Sequence, residues 1–133
     1  MRQIMPTFAP IYLPRIPRNV LNEASIPYWR RTREGWINTT LEEYEATKGG
    51  AVCFDKMEPL LREVTALLEE TKAEGPFFLG GEVSYADFVW GGYLIFCQRM
   101  GEGAYEEVLR RSGNAEAHER LLEGIKPWTE RKD

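Results

Sequence analysis

Residues 76–88, Pro-Phe-Phe-Leu-Gly-Gly-Glu-Val-Ser-Tyr-Ala-Asp-Phe, restrict what this chain can fold into more than any other stretch, because they read as a buried loop turning into a tightly capped helix. Ser84 with Asp87 three positions later is a variant capping box: the hydroxyl accepts from the Asp87 amide and the carboxylate reaches back to the Ser84 amide. Val83 before the cap and Phe88 after the box form a hydrophobic staple over that turn. The helix that follows is apolar nearly all the way round over 88–97, as expected of a helix enclosed by others, so it is read as the central helix. Gly91 and Gly92 inside it each cost about 1 kcal/mol relative to alanine. Close approach of a neighbouring helix is the favoured compensation, ahead of a hollow kept for a ligand.

The remaining pattern is helical throughout. Residues 1–24 hold four prolines, which predicts a broken helix followed by an extended connection. Ser25 is read as the cap of a helix over 26–37, with Pro27 in its first turn. Thr40 and Glu43 make a second capping box for a helix over 41–48 that stops at Gly49-Gly50. A long helix over 51–73 carries Met57, Leu60, Leu61, Val64, Leu67 and Leu68 as one stripe, with Gly75 as a left-handed cap and Pro76 beyond it. Tyr105, Val108 and Leu109 mark a shorter helix ending before Gly113, and Asn114 caps a last helix running to about 125. No stretch alternates with period two for long enough to make a strand, so the expected fold class is an all-α helical bundle. At 133 residues the chain fits a single domain spanning 1–133.

Charge and composition exclude several functions. A net charge of −4 argues against nucleic acid, and the cluster Arg30-Arg31-Thr32-Arg33, followed by Glu34, reads as a solvated helix face. No apolar run reaches about 18 residues, so no membrane partner is expected. The prolines interrupting the first apolar stretch do not fit a signal peptide, and a cytoplasmic location is expected. Cys53 and Cys97 are read as core thiols rather than a disulfide. Metal is not expected: three Cys and His residues are scattered over separate elements, and Glu42-Glu43 and Glu69-Glu70 lack a histidine three positions on. His118, flanked by Glu116, Glu119 and Arg120, is expected on the surface. Gly80-Gly81 has neither a preceding strand nor a following Lys-Ser/Thr, so it reads as a turn needing positive φ rather than a phosphate loop.

The loop, the Ser84-Asp87 box and the helix after it resemble the C-terminal all-helical domain of the glutathione transferases. Segments 8–17, 28–34 and 126–131 look like the corresponding parts of the fungal, lignin-etherase-like branch of that superfamily. The resemblance implies that Asp87 is a folding determinant. It also implies that Phe8, Ile11, Tyr12 and Arg15 stand at the wall of a pocket for a hydrophobic co-substrate, with a plain core role for Phe8 and Ile11 equally open. Trp128 falls where the family's tail folds back over the same region, as a lid or as a packed aromatic. The thioredoxin-like domain, which binds glutathione and carries the thiol-activating residue, is expected to be absent, and no cofactor is expected.

Three functional readings follow. The first is a stand-alone helical domain that binds a hydrophobic small molecule or serves as an interaction module, forming a homo-oligomer through the face the other domain would cover. The second is a glutathione-independent enzyme of isomerase, dehydratase or cyclase type, with Asp55, Glu58, Tyr12 and Tyr93 as its acid or base groups. The third is a truncated transferase fragment without activity.

Overall fold

The computed structural model describes residues 3–129. Among them are α1 (Ile4–Asn19), a single 3-10 turn (Glu23–Ser25), α2 (Ile26–Ile37), α3 (Leu41–Lys48), α4 (Ala51–Glu70), α5 (Tyr85–Met100), α6 (Ala104–Ser112) and α7 (Ala115–Thr129). The all-α expectation holds, and α2 and α3 begin and end where the sequence places them. Thr40 accepts from the Glu43 amide at 3.1 Å, and Asn114 accepts from the Ala117 amide at 3.3 Å. Glu130 and Arg131 of the closing segment lie outside the described residues.

The first segment differs from expectation. Instead of breaking, α1 runs unbroken through Pro10, Pro14 and Pro17. Spacings of four and three put these prolines on one face, so the carbonyls they deprive of a donor also lie on one side. One is re-satisfied from outside: Pro17 has no N–H for the Leu13 carbonyl, which takes the Trp29 indole N–H at 3.0 Å. Ser25 makes no side-chain cap; Asn22 caps the short turn before α2 instead, accepting from the Ser25 amide at 3.0 Å. The long helix stops at Glu70 rather than at 73, and Gly75 does not adopt positive φ. What Gly75 supplies is room, since a Cβ there would lie 2.4 Å from the Gly80 carbonyl oxygen. The turn reading of Gly80-Gly81 holds at Gly80, whose φ is +85°.

Asp87 is fully buried, and its carboxylate accepts from the Ser84 amide at 2.7 Å, the Ser84 hydroxyl at 3.0 Å and the Phe78 amide at 2.9 Å. The box therefore starts α5 and also pins the loop before it. From there Trp90, Tyr93, Leu94, Cys97 and Met100 form the middle of the core, surrounded by Phe8, Met57, Leu61, Leu121 and Ile125. Gly91 marks the close approach expected of it: a Cβ there would fall 2.1 Å from Ile125 Cδ1 on α7. Full enclosure of α5, however, is corrected. The helix packs on α1, α6 and α7, while Tyr85, Ala86 and Gly92 stay exposed and Val89 half-exposed.

A second correction concerns His118, which is 1% exposed. Its flanking residues in sequence are polar, but spacings of three and four put it on the same side of α7 as Leu121 and Ile125, both fully buried. Trp90 Nε1 donates to His118 Nδ1 at 2.9 Å, which leaves the proton of the neutral ring on Nε2, 2.7 Å from the Thr65 hydroxyl. Thr65 in turn reaches the Leu61 and Ser112 carbonyls at 3.1 and 2.9 Å. One polar knot thus ties α4, α5, α6 and α7 together. Burial lowers the His118 pKa to about 4, so the ring is neutral where the fold is stable.

Candidate functional site: an apolar groove between two helices

The open side of α5 faces the C-terminal half of α4, and between them runs a groove of about 390 Å³. Val64 and Leu67 come from α4, Phe78 from the capped loop, and Ala86, Val89 and Trp90 from the first turns of α5; Glu70 is the one charged side chain of the lining. Leu67, in the last turn of α4, is 51% exposed, and the groove is what it faces. At the floor, the Trp90 indole is held by its bond to His118. Such a composition, apolar walls with one charged group, suits a hydrophobic molecule of modest size.

The residues singled out by resemblance do not converge. Phe8 and Ile11 are fully enclosed in the core and have no surface to offer a ligand; Phe8 stacks edge-on against Phe54, Tyr93 and Phe96. Arg15 closes the end of α5, donating to the Gly101 carbonyl at 2.8 Å beside Asn19, whose amide meets the Met100 carbonyl. With Arg18, Glu45 and Glu102 it forms a four-charge network, so its role here is that of a helix-end cation. Tyr12 is half-buried against Phe8 and Phe96. Trp128, 58% exposed, packs edge-on to Phe88 with ring centroids 5.7 Å apart, on the first turn of α5. The groove residues carried no signal of their own: Val64 and Leu67 belong to the α4 stripe and read as core.

The proposed acid and base groups are also dispersed. Asp55 and Glu58 pair with Arg111 on the α4–α6 surface. Tyr93 is buried beside Cys97, and burial raises its pKa. Both thiols are free and buried, Cys53 pushed up to about 11 and Cys97 to about 12 by desolvation. Neither has the lowered pKa of an activated nucleophile. Among the described residues no three His, Cys, Asp or Glu side chains gather as a metal site would require, and no helix is long and apolar enough to cross a membrane.

No curated protein and no solved structure matches the chain. A family model does, described as Glutathione S-transferase, C-terminal domain, and it covers residues 1–128. That match spans nearly all of the 133 residues and agrees with the capped central helix and the all-α architecture, so the chain belongs to the family of glutathione transferase C-terminal domains.

Proposed function

We propose that this helical domain binds a hydrophobic small molecule in the groove between α4 and α5, within the fungal, lignin-etherase-like branch of the family. The observation that carries the reading is the lining itself: Val64, Leu67, Phe78, Ala86 and Val89 leave apolar surface around one space, with Glu70 at hand for a single polar contact. A volume of about 390 Å³ lies within the ordinary range of small-molecule sites, roughly 300–1,000 Å³. Binding, rather than chemistry, is the activity supported, because Asp55 and Glu58 are engaged by Arg111 and no titratable group except Glu70 lines the groove. Thiol conjugation is no part of the proposed function. Cys53, Cys97 and Tyr93 all have raised pKa values, the opposite of what thiol or thiolate activation needs.

The test is titration with the neutral fluorophore N-phenylnaphthylamine. Saturable binding is expected to the wild-type chain, and weakening of about tenfold in Leu67→Gln and in Val89→Gln, roughly the loss of one well-buried aliphatic contact each. Unchanged affinity in folded variants contradicts the reading.

Self-association through the same side is the second reading, favoured by Leu67, Leu79 and Tyr85, which are 51, 63 and 82% exposed. Light scattering on the purified chain separates the two. A dimer that dissociates in Leu67→Gln and does not bind the fluorophore replaces the ligand reading with a protein interface.

A further inference from the structure

Arg33 occupies an unusual position on α2. Its guanidinium carbon lies 3.9 Å from the ring centroid of Trp29 and 4.5 Å from that of Trp36, so the fork lies against indoles one turn before and one turn after it. Ion pairs among the described residues engage Arg15, Arg18, Arg30, Arg62, Arg110 and Arg111, and Arg33 is not among them. Glu34, its sequence neighbour, is committed to Arg30 and to the Leu41 amide. Arg33 donates to the Thr32 hydroxyl, while its Nε is buried with no acceptor. What sets Arg33 apart is the pair of indoles beside it, together with a half-buried guanidinium that no carboxylate among the described residues pairs.

The surroundings hold that fork in place. Trp29 is locked to α1 through the Leu13 carbonyl, and Trp36, 67% exposed, offers a flat apolar surface to solvent. A guanidinium donates only in its own plane, edge-on, which is the geometry that matches a carboxylate. Tyr12 shares this region: burial raises its pKa, and the Arg33 charge acts against that rise.

We propose that Arg33, framed by Trp29 and Trp36, is a binding site for the carboxylate of a small molecule whose flat apolar body lies against the Trp36 indole. None of these residues lines the groove between α4 and α5, so either site can fail without the other.

Calorimetric titration with naphthylacetate and with naphthylacetamide tests it, since the two differ in charge but hardly in shape. The wild-type chain is expected to bind the acid about tenfold or more tightly than the amide, the size of a charge-assisted hydrogen bond. Arg33→Met should abolish that preference, and Arg33→Lys should recover only part of it, because an ammonium lacks the fork. Folding of each variant is checked by far-ultraviolet circular dichroism. Equal binding of acid and amide by the wild type overturns the proposal whatever the variants do, as does a preference kept in folded Arg33→Met. Should Arg33→Met not fold, Arg33→Lys decides: the full wild-type preference in a folded lysine variant also overturns it.

Discussion

Asp87 holds two segments with one carboxylate, taking the Ser84 amide and hydroxyl on one oxygen and the Phe78 amide on the other. Its removal costs more than the loss of a cap, because two backbone donors in a closed turn are left without an acceptor. Asp87→Ala should lower stability by about 3 kcal/mol, against about 1 kcal/mol for Ser84→Ala. Urea denaturation checks both, and equal losses would mean that the Phe78 bond carries no weight. His118 gives a pH-dependent counterpart. Its pKa is near 6.5 unfolded and about 4 folded, so between those values the unfolded chain binds more protons and stability falls as pH is lowered. The contribution of the neutral ring is of order 3 kcal/mol, fully present above pH 6.5 and lost by about pH 4. Glu42, held by Arg30 down to about 2, affects stability only below its ordinary value of 4.5, which leaves the range from pH 6.5 to 5 clear of it. The slope of stability between pH 6.5 and 5 should therefore be largely absent in His118→Gln. The capping box was legible in the sequence because its bonds are local. His118 was misjudged from its neighbours, although its spacing to Leu121 and Ile125 held the answer.

Two adjacent glycines in α5 sit in opposite environments. A Cβ at Gly91 collides with Ile125 Cδ1, while one at Gly92 meets nothing within 4 Å. Gly92→Ala should stabilise the chain by about 0.5–1 kcal/mol through helix propensity alone. Gly91→Ala should destabilise it by about 1 kcal/mol, overpacking outweighing the same propensity gain. Ile125→Val removes the methyl in question, so the double variant should recover most of that loss. Thermal denaturation of the four chains completes the cycle, and additive effects would contradict the close approach. For α1, composition pointed to a break because each proline was weighed alone. Their shared face, and an indole arriving from α2 at the Leu13 carbonyl, are what allow the helix to continue. The first is readable from spacing; the second depends on a tertiary contact.

At the scale of the molecule, the bundle has a closed side and an open one. The closed side is made by α5 against α1, α6 and α7, and it was foreseeable from hydrophobic periodicity and the capped loop. The open side was not, because Val64, Leu67 and Val89 look like core residues until the helices are placed and α4 proves to stand apart from the first turns of α5. Of the residues that the resemblance puts at a pocket wall, Phe8 and Ile11 are taken up by the core, the alternative left open for them, and Arg15 by the end of α5. With glutathione and a chlorodinitrobenzene electrophile, the purified chain should show no rate above the uncatalysed reaction, since its thiols and Tyr93 are driven away from ionisation.

Amide chemical-shift mapping with N-phenylnaphthylamine is the most direct measurement of what this domain does. Saturable shifts confined to residues 64–70, 78 and 86–90 are predicted, with 12, 29, 33 and 36 unmoved. Shifts that centre elsewhere, or that grow without saturating, contradict a ligand site between α4 and α5.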